Sequence, residues 1–96
     1  MGKLTDSNIK SKLGEMPGWT FEDNSLRRLY TCRSFPDAVT MVVRLAFAAE
    51  AADHHPDVLL NYKKVIVTWS THSEGGVTEK DFAGARQSDT ISRGFV

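Results

Sequence analysis

Two of the chain's three histidines are adjacent, in the stretch Glu50-Ala51-Ala52-Asp53-His54-His55-Pro56. The third, His72, follows an apolar, strand-like run. The unperturbed imidazole pKa lies near neutral pH, so histidine is suited to giving and taking protons. Carboxylates flank the pair: Glu50 lies four residues before His54, and Asp53 immediately before it. If this stretch is helical, Glu50 and His54 share a face and the carboxylate can hydrogen-bond the ring. Such a bond selects an imidazole tautomer and favours the protonated form. Successive residues on regular backbone point apart, so His54 and His55 need a break to reach a common ligand. Pro56 supplies it, because it disfavours helix at His55. The chemistry expected is histidine acid–base catalysis, with the fold bringing His54, His55 and His72 together.

Simpler readings stand beside this one. A histidine near a helix C-terminus suits the helix dipole whatever the function. His72 also fits an ordinary solvent-facing strand end. Three histidines with Glu50, Asp53 and Asp81 could ligate a metal, although adjacent histidines are not the i, i+4 chelate that helices favour. A metal site therefore stands as a weaker competitor to acid–base catalysis. Asp81 lies three residues after Thr78, where it completes a variant capping box, and this structural role is the preferred one. Trp19 and Trp69 fit a core or interface better than a stacking platform. Cys32 has no histidine near it in sequence and is not read as a nucleophile. Phosphate-loop, dinucleotide and nucleophile-elbow motifs are absent from the sequence.

The elements that must position these residues follow from the chain in order. Residues 1–3 are expected to fray. Thr5 or Asp6 can cap a first helix carrying Leu4, Ile9, Leu13 and Met16, and Gly14 stops it through the left-handed conformation. Pro17-Gly18 marks a turn. Trp19 to Glu22 alternates like a half-buried strand, Asp23-Asn24-Ser25 is turn chemistry, and Leu26 to Arg33 is the return strand. The short connection requires an antiparallel hairpin.

Ser34-Phe35-Pro36-Asp37 reads as a helix start. That helix runs to about Ala52 and ends near Asp53 or His54. It carries two apolar stripes, one of Ala38, Val42, Leu45, Ala49 and Ala52, the other of Phe35, Val39, Val43 and Phe47. So wide an apolar surface suggests packing on two sides, by a sheet and by a second subunit.

Val58 to Tyr62 and Val65 to Thr71 form a second hairpin, with Lys63-Lys64 at or beside the turn. Val65, Val67 and Trp69 share one face; Ile66, Thr68, Ser70 and His72 share the other. Glu74-Gly75-Gly76 is a loop. A last helix runs from about Glu79 to Ile91, and the tail from Ser92 to Val96 is expected to be loose. The class is α+β: a single four-stranded antiparallel sheet with three helices on one face, in the order α-β-β-α-β-β-α, forming one domain over residues 1–96.

The totals narrow the function classes. A hydrophobic fraction of 41% with 25% charged residues is that of a globular chain rather than a disordered one. Twelve basic and twelve acidic residues balance, which disfavours nonspecific nucleic-acid binding and leaves association unopposed by net charge. One cysteine excludes an intrachain disulfide. No basic-then-apolar leader or membrane-length apolar run occurs, so a cytoplasmic protein without membrane contact is expected.

Taken together, these residues resemble the pterin-4a-carbinolamine dehydratase family. The pattern runs Glu50, three residues, His54-His55-Pro56, five residues, Tyr62, nine residues, His72, eight residues, Asp81. Pro17-Gly18-Trp19, Tyr62-Lys63-Lys64-Val65, Thr71-His72 and Gly75-Gly76-Val77-Thr78 extend the likeness from about Leu4 to Ile91. The resemblance implies the same sheet-and-helix fold, and dimers that often pair into tetramers. It implies that His54, His55 and His72 surround a pterin substrate with Glu50 in support. His54, His55 and Pro56, with Thr71, His72, Ser73 and Glu74, would then line the substrate pocket. The reaction implied is dehydration of 4a-hydroxytetrahydropterin to quinonoid dihydropterin, in tetrahydrobiopterin recycling after an aromatic amino-acid hydroxylase. No cofactor is implied. The alternative is a binding module: some animal relatives act as dimerisation cofactors for a transcription factor, through an apolar helical surface.

Overall fold

The structure is a computed structural model and describes residues 2–96; the expectation of a frayed start at Met1 falls outside them. The element order is α1 (Asp6–Leu13), β1 (Thr20–Glu22), β2 (Ser25–Thr31), α2 (Phe35–Ala52), β3 (Asp57–Asn61), β4 (Lys64–Trp69) and α3 (Glu79–Ser92), with a 3-10 turn at His72–Glu74 between the last two. All strand pairs are antiparallel, in the order β1-β2-β4-β3. The fold is the α+β architecture expected from the sequence.

Each hairpin turns through two residues. Asp23 and Asn24 both have positive φ, which matches the right-handed twist of the strands they join. In the second hairpin Tyr62 is not the end of β3 but lies in the turn, with φ of 55°.

The register lays Leu26, Tyr30, Val65, Val67 and Trp69 on the helix-facing side, where all are buried with Ile9, Met41, Leu45 and Phe82. The opposite side carries Leu29, Ile66 and Leu59 in one cross-strand row, with Leu29 and Leu59 exposed.

Helix α2 begins as its sequence dictates. The Ser34 hydroxyl accepts from the Asp37 N–H and Pro36 sits in the first turn. One side buries Ala38, Met41, Leu45 and Ala49. The stripe of Phe35, Val39, Val43 and Phe47 is exposed, Phe47 at 73%.

Three local expectations are corrected. Gly14 ends α1 with φ of −57°, in the right-handed region, so left-handed freedom is not its role there. The last strand ends at Trp69, and Thr71 forms only an isolated bridge with Gly76. His72 therefore opens a helical turn and does not continue the face of Ile66 and Thr68. The tail is not loose: the Phe95 carbonyl accepts from the Arg33 N–H at 2.9 Å, and the Phe95 side chain packs on the core.

Candidate active site

Helix α2 closes at Asp53, which adopts φ 52° and ψ 41°. This left-handed residue swings the chain out of the helical path. The Asp53 and His54 N–H groups still donate to the Glu50 and Ala49 carbonyls, so the exit is held by the last turn of the helix.

The swing overturns the expected Glu50–His54 pair. His54 Nε2 lies 2.6 Å from Asp81 Oδ1, on α3, and Glu50 Oε1 lies 2.9 Å from His55 Nε2. Each adjacent histidine thus has its own carboxylate. Their surroundings differ sharply. The His54 side chain is 15% exposed and Asp81 is fully buried, whereas His55 and Glu50 face solvent. The first pair is the more strongly positioned, since exposed ion pairs contribute little.

Packing fixes the His54 ring further. It stacks on the indole of buried Trp69, with centroids 5.3 Å apart and planes at 26°. Trp69 belongs to the core, as expected, yet it is also a stacking surface for this ring. Its Nε1 donates to Ser88 Oγ at 3.1 Å. Gly84 lets α3 approach this indole: a Cβ there would lie 2.6 Å from Trp69 Cε2.

Asp81 joins the two histidine segments. Its Oδ2 accepts from the Thr78 N–H at 2.9 Å, completing the capping box expected at α3. The same oxygen accepts from the Thr71 hydroxyl at 2.8 Å, and Thr71 Oγ1 is 2.8 Å from Thr78 Oγ1. Thr71 immediately precedes His72. One buried carboxylate therefore ties the residue after α2, the entrance to the His72 turn and the start of α3. No buried side-chain polar atom among the described residues is left without a partner. The sequence reading found the cap but missed the bonds to His54 and Thr71. The signal available was Asp81 itself, a carboxylate at a capping position that can use its second oxygen elsewhere.

The remaining site candidates are more open. His72, Ser73 and Glu74 form an exposed turn, and the His72 ring has no hydrogen-bond partner among the described residues. Pro56 is half-buried. His54 lines a cavity of about 210 Å³. Its floor includes Leu45, Ala49 and Trp69, with Lys80 and Gln87 on its α3 side. Among the described residues no three His, Cys, Asp or Glu side chains gather in a metal-binding arrangement. Burial pushes the Cys32 thiol pKa up, with Asp37 adding to the shift and Arg33 opposing it. A thiol so raised is poorly suited to nucleophilic attack.

No described helix is long and apolar enough to cross a membrane. Comparison with known proteins places the chain among relatives. The family model described as "Pterin 4 alpha carbinolamine dehydratase" matches residues 2–91. A Roseiflexus sp. (strain RS-1) protein named "Putative pterin-4-alpha-carbinolamine dehydratase" is 45% identical over 89 residues, covering 93% of this chain and 96% of its own. A Mycobacteroides abscessus protein of the same name is 48% identical over 90 residues, covering 94% and 96%. Among solved structures, the "transcriptional coactivator/pterin dehydratase" from Brucella melitensis superposes with a TM-score of 0.89 at 36% identity, covering 94% of this chain and 98% of its own. A "pterin dehydratase-like protein" described as a RuBisCO assembly factor in the alpha-carboxysome shares the fold, with a TM-score of 0.68 at 19% identity over 80% of this chain and 92% of its own. Motif, fold and full-length similarity agree: the chain belongs to the pterin 4 alpha carbinolamine dehydratase family.

Proposed function

We propose that this protein dehydrates 4a-hydroxytetrahydropterin to quinonoid dihydropterin, with His54, His55 and His72 as the working side chains. The observation that carries the reading is the His54–Asp81 contact of 2.6 Å, which binds the two histidine segments in a chain of this family. The reaction breaks the C4a–O bond. Hydroxide is a poor leaving group, so an imidazolium gives its proton to the departing oxygen and water leaves. A second group takes the N5 proton, and C4a=N5 forms. Each proton transfer typically accelerates such a step about 10²–10⁴-fold.

His55 serves as the acid. It is exposed to incoming substrate, and the Glu50 carboxylate at 2.9 Å from Nε2 orients its ring. His54 is the base or orienter: with Nε2 facing the Asp81 carboxylate, the tautomer protonated at Nε2 leaves Nδ1 free to accept. His72 positions the pterin, with Pro56, Thr71, Ser73 and Glu74 along the pocket. The physiological setting is recycling of tetrahydrobiopterin after an aromatic amino-acid hydroxylase, in the cytoplasm, without a metal or other cofactor.

The test is the decay of chemically generated 4a-hydroxytetrahydropterin, followed by ultraviolet absorbance. Wild-type protein accelerates it, and His55→Ala loses most of the acceleration while its circular dichroism is unchanged. Undiminished turnover by the variant removes His55 from the mechanism, and no acceleration by folded wild type removes the dehydratase reading.

A second reading concerns the exposed stripe of Phe35, Val39, Val43 and Phe47 on α2. Contiguous apolar surface of this kind favours association. It suits a homodimer or homotetramer, or a role like the "transcriptional coactivator" named for the Brucella neighbour.

A further inference from the structure

A second, larger cavity lies on the other flank of α3. The His54 cavity uses Lys80, Ala83, Gly84 and Gln87 of that helix, whereas this one uses Arg86, Asp89 and Thr90, with Arg93 just beyond its end. Its volume is about 700 Å³, within the range of about 300–1,000 Å³ usual for small-molecule sites.

The charged groups around it are Lys12, Glu15, Arg28, Arg86, Asp89 and Arg93. Of its two carboxylates, Glu15 is exposed to solvent and Asp89 is already engaged. Asp89 accepts from Trp19 Nε1 at 3.1 Å, from Arg28 Nη1 at 2.9 Å and from the Tyr30 hydroxyl at 2.6 Å. Lys12 pairs with Glu79 at 3.0 Å. Arg86 and Arg93 have no ion-pair partner among the described residues.

Arg28 is the unusual group. It shares the helix-facing side of β2 with Leu26 and Tyr30, and both of those are buried. A charge on the core side of a central strand needs compensation. Asp89 and the Pro17 carbonyl occupy Nη1, while Nε and Nη2 have no acceptor among the described residues. The guanidinium is held in place, over the Tyr30 ring at 4.8 Å, with donors to spare. Met16 and Pro17 add apolar wall beside it.

We propose that this cavity binds a small organic anion, a carboxylate or phosphate ester with an apolar body, between Arg28, Arg86 and Arg93. The planar guanidinium fork matches both oxyanions, and the apolar wall takes the ring or chain. The site is separate from the histidine site and does not depend on the activity assigned there.

Titration of ¹⁵N-labelled protein with benzoate and with phenyl phosphate tests this, with benzyl alcohol as the uncharged control. Saturable shifts are expected at the Trp19 indole N–H, which abuts Asp89, with no comparable change at the Trp69 indole. The double variant Arg86→Gln/Arg93→Gln, both exposed residues, weakens binding by about tenfold or more. Saturation by one probe alone identifies the oxyanion. Silence with both anions, equal binding of the alcohol, or undiminished affinity in a double variant that melts like wild type overturns the proposal.

Discussion

Asp81 Oδ1 lies 2.6 Å from His54 Nε2 while Asp81 Oδ2 caps α3 and accepts from Thr71. A residue that reads in sequence as a helix cap is therefore also the support of a histidine. The two duties can be separated by substitution. An asparagine has one oxygen acceptor where the carboxylate has two, so Asp81→Asn either forfeits the cap or turns its NH2 toward His54 and loses the acceptor that a ring protonated at Nε2 needs. Stability should fall by about 2–3 kcal/mol, as for a buried group left unsatisfied. Thr71→Val removes a donor on the Oδ2 side only and should lower stability by about 1–2 kcal/mol. Dehydratase turnover should drop at least tenfold more in Asp81→Asn than in Thr71→Val. Turnover losses that merely track the melting temperatures would return Asp81 to a purely structural role.

Gly84→Ala tests the close approach of α3 to Trp69. The added methyl would stand 2.6 Å from the indole, and neither partner can withdraw without moving the helix or the strand. Overpacking of this kind costs about 1–3 kcal/mol, readable by urea denaturation. Because His54 stacks on the same indole, turnover should fall as well.

Tyr30 makes stability fall in alkali. Burial raises its hydroxyl pKa well above the ordinary value of 10.0, and the hydrogen bond to Asp89 and that carboxylate's charge raise it further, against a smaller opposing effect of Arg28. Above about pH 10 the unfolded chain releases this proton and the folded chain keeps it. The unfolded state then binds fewer protons, so stability is full below that pH and declines as pH rises beyond it. Denaturation midpoints between about pH 9 and pH 11 should show the decline, and Tyr30→Phe should flatten it. An equal slope in the variant would assign the decline to other groups.

Phe47→Glu addresses the α2 stripe. At 73% exposure the ring contributes almost nothing to the core, so melting of the isolated chain should be unaffected by the change. Light scattering after size exclusion should show wild type above the monomer mass and the variant reduced. A wild type that runs as a monomer at micromolar concentration removes the association reading.

Much of the fold was legible because its signals are local. The Ser34 cap, Pro36 in the first turn and the turn chemistry of Asp23-Asn24-Ser25 each act within a few residues, although Ser25 itself opens β2. The α3 capping box at Thr78 and Asp81 was legible for the same reason. Apart from the local conformations of Gly14 and Tyr62, what failed depended on distant partners. Glu50 and His54 have helical spacing, but Asp53 leaves the helix before His54 is reached, and the imidazole finds Asp81. The chain from Lys64 onward has strand chemistry, yet the Thr71 hydroxyl is drawn to Asp81 and a helical turn follows. The tail looked loose because the docking of Phe95 against the core and Arg33 has no sequence-local counterpart. In the candidate site, the carboxylate partner of each histidine was not readable from spacing.

The left-handed residue at Asp53 has one more consequence. Since the chain leaves α2 there, the direction of His54 is dictated by Trp69 and Asp81 and not by the rotational phase of the helix. Substitutions along the outer stripe of α2 can therefore accumulate without re-aiming the imidazole. The exposed apolar surface of α2 is thus free to diversify while the imidazole beside it keeps its aim.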